Sequence, residues 1–286
     1  MAGFFGMFDY TKPGKGVSKE DLDKHGPALF FDILVRRIWK ILLVNMIYVI
    51  ASIPAIFISW AASAFLLVML QSVTGVNVAM EGVEVLHLFL TAIIFTITGS
   101  GSASAAMSYV LRKYVNDTHS WAWSDFTEQF KANFLQGLIA YVINLVVTVL
   151  LATSLLFYTF SMRGTIAFVL RTVVVIAGVI FLMMQMYVYQ IMATFKLKIK
   201  DIYRNALLLT VGKLPVNIIA YAFTVAAMYG LMLLISSPLS VVVLFVCFFS
   251  VNMFIQIFIT NNTVNKYLVE PAEKADEKSE TQNPEG

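Results

Sequence analysis

What this sequence lacks narrows its function quickly. It has one cysteine, Cys247, so an intrachain disulfide framework and a cysteine-built metal site are excluded. Its three histidines, His25, His87 and His119, stand far apart and form no H-x-x-x-H pair. CxxC, G-x-S-x-G and phosphate-loop patterns are missing as well. No catalytic constellation is legible, so the chain is not expected to be an enzyme, and no cofactor or metal is implied. Charge is scarce too: 13% of residues are Asp, Glu, Lys or Arg, where a soluble domain averages about 25%. Residues 1–28 do not follow the basic-then-apolar order of a secretory signal. Ala2 stands where N-myristoylation needs glycine.

Apolar residues take the place of the missing charge. The hydrophobic share is 59% and the mean hydropathy +0.80. Charge-free runs cover Val85–Leu111, Ala132–Met162, Thr172–Phe195 and Leu214–Asn265. A helix rises about 1.5 Å per residue, so roughly 20 such residues cross a bilayer. The last run is long enough to cross twice, and Ser236-Ser237-Pro238 breaks it where a turn is needed. The expected fold is an all-α polytopic membrane protein with six transmembrane helices. Their predicted positions are 41–64 (with an outer extension to about 70), 86–110, 135–160, 172–195, 214–235 and 239–262. Pro54 is expected to kink the first. A leader and interfacial helix (1–40) precede this 41–265 membrane domain, and an acidic, disordered tail (266–286) follows it. Within the leader, Asp32 and Arg36 have the spacing of an exposed helical ion pair.

The net charge of +3 is an orientation signal and does not point to nucleic acid. With six spans, eighteen of the 20 Lys and Arg residues fall on one side, and only Arg163 and Arg171 on the other. That bias puts both termini in the cytoplasm of a multi-pass protein of the cell membrane. No Asp, Glu, Lys or Arg lies in the middle of any predicted span, which argues against a proton relay or ion-coupled pump. The polar residues left there are Asn45, Asn144, Gln185, Gln190, Asn217, Asn252 and Gln256. Such amides serve as interhelical hydrogen-bonding groups; a neutral solute such as a sugar is the alternative occupant.

The densest stretch runs from Gly99 to Gln136. It opens with the small residues Gly99, Gly101, Ser104 and Ala105, among which Gly101–Ala105, like Ser100–Ser104, has the four-residue spacing that lets helices approach closely in lipid. A hydroxyl-lined solute path is the competing reading. Next come Arg112 and Lys113, then a polar bend with His119, Trp121 and Trp123. Ser124 is placed to cap the following helix, with Asp125 and Glu128 in its first turn. Trp123, Phe126, Phe130 and Phe134 form an apolar stripe suited to the acyl boundary. The plain reading is an ordinary interfacial helix. The sharper one makes Arg112, Lys113, His119, Trp121, Trp123, Ser124 and Asp125 a contact for anionic head groups or a partner. A similar pattern recurs in KLKIKDIYRNALLLTVGKL, where Asp201 opens the helix and Ile-Ala-Tyr follows at 219–221, as it does at 139–141. The two acid-to-tyrosine spacings differ by about one helical turn. A parallel duplication and chance both account for this.

FDYTKPGKGV in the leader, Ser52-Ile53-Pro54 in the first span, and YVLRKYV, WAWSDF and FKANFLQ in the central stretch together carry a resemblance. On them the chain resembles the YesL-like family, small integral membrane proteins of Firmicutes with no established activity. Ser52 departs from that family's pattern, in which a cysteine often stands before the leucine-proline. The resemblance implies association with carbohydrate uptake, as a non-enzymatic accessory to ABC-type sugar transporter subunits or a regulator. It brings no active-site residues with it. Two further readings stand beside that one: an autonomous facilitator for a neutral solute, and a scaffold binding anionic lipid head groups.

Overall fold

The structure is a computed structural model that describes residues 26–75, 80–233, 243–271 and 274. Among the described residues there are ten α-helices and no strand. They are α1 (Pro27–Ala51), α2 (Ile53–Thr74), α3 (Met80–Thr98), α4 (Ser102–Val115), α5 (Ala122–Ala132), α6 (Phe134–Leu156), α7 (Thr165–Thr194), α8 (Ile199–Gly212), α9 (Leu214–Leu233) and α10 (Phe249–Val264). Single π-helical turns extend α6 (Phe157–Ser161), lead into α10 (Leu244–Phe248) and continue beyond it (Asn265–Val269).

The chain divides into two units after Arg37. In the first, Arg36 and Asp32 form the expected ion pair at 3.7 Å, and Phe30 meets Phe31 edge-on. The second is a helical bundle.

Three of its helices are long and apolar enough to cross a membrane: α2, α6 with its π turn, and α7. Two bent pairs pass the same test together, α3 with α4 at 68° and α8 with α9 at 98°, each a broken span or a re-entrant loop. By length and composition the described residues thus hold three to five candidate spans. The six expected spans are therefore redrawn. The first, placed at 41–64, is interrupted at Ser52, beyond which Pro54 sits in the opening turn of α2. The second, placed at 86–110 as one rod, is two helices, because Gly99 and Gly101 adopt positive φ. The fourth starts earlier than expected, at Thr165. The sixth is only partly described: 239–242 lie outside the described residues, and α10 is a 16-residue helix. Helical structure runs on through Val269, so the first residues assigned to the tail belong to the bundle's last helix.

The bundle is built inside out. Along α6, Gly137, Ala140, Tyr141, Asn144 and Thr148 are buried, while Leu135, Leu138, Val142, Val146 and Leu150 are exposed. The buried face is the smaller and more polar one. In water that arrangement would forfeit the hydrophobic contribution of five large side chains. In lipid, association is driven instead by close packing of small residues and by interhelical hydrogen bonds.

The two lead-in helices are built alike. At Asn133 and at Lys213 the chain leaves an amphipathic helix and turns into an apolar one, α5 into α6 and α8 into α9. Ile-Ala-Tyr lies at the same distance beyond each break, and its alanines, Ala140 and Ala220, are both fully buried.

Candidate functional site

The site is organised by the interruption between α3 and α4. Gly99 and Gly101 have φ of +66° and +64°, a left-handed conformation that costs an L-residue roughly 1–2 kcal/mol. Space demands glycine as well. A Cβ on Gly101 would stand 2.4 Å from the Gly137 carbonyl oxygen, and one on Gly137 2.2 Å from the Ser102 nitrogen. The start of α4 thus lies backbone to backbone against the start of α6. Of the four residues predicted as a packing face, Gly101 makes this contact. Ser104 and Ala105 are buried in α4 itself, and Gly99 faces Ser104 and the Tyr189 ring. They do not lie on one continuous helix, since the break falls among them.

Breaking a helix leaves backbone donors and acceptors without helical partners, and in a bundle interior each must be answered by the protein. At the α4 start, the Ser100 N–H donates to Ser104 Oγ at 2.8 Å. Ser52, at the α1–α2 interruption, donates through Oγ to Ser100 Oγ at 2.7 Å, so the two breaks touch. Tyr48 reaches Ser104 Oγ at 3.3 Å. At the α3 end, the Thr98 carbonyl accepts from the Tyr189 hydroxyl and from Asn144 Nδ2. Asn144 Oδ1 in turn accepts from Tyr203 at 2.7 Å and from Gln185 Nε2 at 3.2 Å. Asn144 therefore joins α3, α6, α7 and α8 with one side chain.

A second chain runs from Gln256 Nε2 to Thr224 Oγ1 at 2.9 Å, and from Thr224 to Asn252 Oδ1 at 2.7 Å. Between the two networks lies a cavity of about 50 Å³, lined by Tyr48, Ser104, Gln185, Tyr189, Tyr221 and Gln256 among others. Among the described residues, no Asp, Glu, Lys, Arg or His lines it. The Asn217 amide does comparable work at the other bend. It donates to the Thr210 carbonyl that ends α8 and accepts from Tyr187.

All seven amides read from the spans make hydrogen bonds inside the bundle. Their tyrosine partners, Tyr187, Tyr189 and Tyr203, were not anticipated. An aromatic in an apolar run reads as packing until its hydroxyl is seen to reach a carbonyl or an amide.

The predicted head-group contact is placed differently. Arg112 donates to Thr194 Oγ1 and, at 2.6 Å, to Asn265 Oδ1, tying α4 to the ends of α7 and α10. Lys113 Nζ lies 3.0 Å from Asp125 Oδ2 and 4.7 Å from the centroid of the Tyr109 ring. Asp125 also accepts from Ser120 Oγ at 2.6 Å. Partial burial works to raise the Asp125 carboxyl. The Ser120 hydroxyl, the Lys113 ammonium and the Trp121 backbone outweigh it and hold the group below the usual carboxylate range. Ser124 is not the cap. The helix begins at Ala122 after an extended Trp121, so Ser124 falls inside its first turn, where its carbonyl accepts from Thr127. His119 meets Trp121 edge-on, and both Trp121 and Trp123 are exposed. Among the described residues, no group of His, Cys, Asp and Glu is arranged to hold a metal.

Residues 80–155 match the model of a family described as a protein of unknown function, DUF624. The matched segment runs from α3 into α6, and so contains the helix break, Asn144 and the Arg112–Asp125 region. No curated protein and no solved structure matches the chain.

Proposed function

We propose that the chain is a non-enzymatic, multi-pass protein of the cell membrane that serves the uptake of an uncharged, hydroxyl-rich solute, carbohydrate being the first class to test. One observation carries this reading: two helix interruptions meet in the bundle interior, and only hydroxyls, amides and carbonyls answer them. Discontinuous helices whose freed backbone lines a polar pocket are the architecture transporters use for solute sites near mid-membrane. A charge-free lining suits a neutral ligand, because an ion there would meet no counter-charge.

The chain works as an accessory beside a carbohydrate transporter, with ABC-type subunits or a regulator as partner, in keeping with the family resemblance. An autonomous facilitator is the second arrangement, favoured by the bent pairs α3–α4 and α8–α9. The matched positions of the two breaks and of Ala140 and Ala220 support an internal parallel repeat, which would suit either. A lipid scaffold built on Arg112 and Lys113 draws less support, since both side chains are engaged within the chain. Its cationic surface would be Lys196, Lys198 and Lys200 on the inner side. Threading with six crossings and both termini inside follows from the lysine and arginine bias.

Purification in mild detergent with crosslinking separates the two arrangements. Enrichment of transporter subunits in stoichiometric amount supports the accessory. A lone chain that carries labelled sugar across proteoliposomes supports the facilitator. Neither partner nor flux removes the proposal.

A further inference from the structure

We propose that the cavity behind the Gly99–Gly101 break is a binding site for a small uncharged diol or triol, with the Gln185 carboxamide oxygen as its principal acceptor. The proposal rests on the solute reading above and assigns it a place. Tyr48, Ser104, Gln185, Tyr189, Tyr221 and Gln256, from five helices, contribute to the lining.

The Gln185 amide is oriented by its neighbour. Asn144 Oδ1 faces the Tyr203 hydroxyl, while Asn144 Nδ2 faces the Thr98 carbonyl and Tyr189. The group Gln185 presents to Asn144 Oδ1 must therefore be its NH₂. That leaves Gln185 Oε1, which is buried and has no hydrogen-bond partner among the described residues. A buried acceptor without a donor is costly, and the cavity is where a donor has room to sit. On the facing wall, the Gln256–Thr224–Asn252 chain uses the Gln256 NH₂ and the Asn252 carbonyl. Gln256 Oε1 and Asn252 Nδ2 stand outside that chain, an acceptor and a donor on residues that both line the cavity.

Three properties of the space define the ligand. With no ionisable acid or base in the lining apart from tyrosine phenols, a charged ligand would be desolvated without compensation. Tyr48, Tyr189, Tyr221 and Phe249 offer ring surface to the C–H faces of a polyol. A volume of about 50 Å³ holds a handful of waters, at roughly 10–15 Å³ each in this measure. That is room for a molecule of only a few heavy atoms, a diol or triol of glycerol size at most, and not for a sugar ring, since a cavity of about 150 Å³ is what takes a bare six-carbon ring.

The test is equilibrium binding to the full chain in nanodiscs, with radiolabelled glycerol and ethylene glycol as probes, D-glucose as the oversized comparison and glycerate as the charged one. Gln185→Met keeps the side chain's length and removes the amide. It is expected to weaken binding of the neutral probe by about tenfold or more, the order expected for one lost buried acceptor. Gln190→Met is the control: it removes a buried amide from the same helix that does not line the cavity. It is expected to leave the affinity within about threefold, on the same scale of energies. If Gln185→Met does not purify in folded form, Gln256→Met on the facing wall makes the same comparison. Wild-type protein that binds no neutral probe overturns the solute reading together with the site. Wild type that binds, with Gln185→Met or Gln256→Met binding equally well, overturns the site alone. Glycerate binding as tightly as glycerol overturns the uncharged class, and D-glucose binding as tightly as glycerol overturns the size limit.

Discussion

Three glycines offer a graded test of the broken-helix geometry. Gly101 combines a left-handed φ with backbone contact, Gly137 has the contact without the φ, and Gly178 in α7 has neither, since nothing lies within 4 Å of its Cβ position. For Gly101→Ala, the left-handed conformation costs roughly 1–2 kcal/mol. Forcing a methyl to within 2.4 Å of a carbonyl oxygen adds about 1–3 kcal/mol of overpacking. The sum is about 2–5 kcal/mol, a large part of a typical protein's stability. Gly137→Ala carries the overpacking, offset by nearly 1 kcal/mol of improved helix propensity, for a net loss of about 0–2 kcal/mol. Gly178→Ala keeps only the propensity gain and is expected to be neutral or to stabilise by about 0.5–1 kcal/mol. Reversible unfolding by sodium dodecyl sulfate in mixed micelles, followed by tryptophan fluorescence, measures all three. The expected order is Gly178→Ala at or above wild type, then Gly137→Ala, then Gly101→Ala. A Gly101→Ala protein as stable as wild type would refute the break, because a continuous α3–α4 helix would welcome alanine there.

Other outcomes follow from single contacts. Asp125→Asn removes the charge that Lys113 and Ser120 address and should loosen α5 by about 1 kcal/mol, read as faster hydrogen exchange in residues 122–132. Because the fold holds the Asp125 carboxyl below its usual range, that stabilisation is complete above the ordinary carboxyl pKa of about 4. It is lost as pH falls through the lower folded value, so the protection of the α5 amides, taken relative to the intrinsic exchange rate at each pH, should fall only at pH below about 4 and, in Asp125→Asn, should show no such fall. Trp121 and Trp123, at 72% and 68% exposed, should be quenched by lipids carrying a spin label at the head group. Trp121→Phe with Trp123→Phe should remove that shallow component, and its persistence would contradict an interfacial α5. In a Cys247→Ser background, single cysteines at Asn116 and Lys200 should label from the cytoplasmic side and one at Arg163 from outside; any other pattern rejects the threading.

How far the fold could be read depended on what hydropathy responds to. Apolar length located α2, α6 and α7, and amphipathic period located α5 and α8. Hydropathy is blind to backbone direction, so the turns at Ser52 and at Gly99–Gly101 were passed over as a kink and a packing stripe. A signal was there: two glycines one residue apart, followed by serines able to take up freed N–H groups, is the chemistry of a helix end. The amides were legible as interior hydrogen-bonding groups because a polar side chain in lipid has few other uses. Their partners were not, because the pairing of Asn144 with Tyr203 or of Arg112 with Asn265 spans long stretches of sequence that only the packed bundle brings together. Lys113 and Asp125 were read as members of one outward-facing contact and not as a pair. The Ser120 turn that joins them became visible only in three dimensions.

The account stands or falls on whether a neutral junction of interrupted helices serves a neutral solute. The most direct measurement is the initial rate of labelled glucose and gluconate uptake in cells with the chain deleted, restored, or restored as Asn144→Asp. That last substitution keeps the shape and places a charge at the centre of the network. The account predicts that deletion slows glucose alone, that wild type restores it, and that Asn144→Asp, brought to the same membrane abundance, does not. Equal glucose rates in all three strains would contradict it.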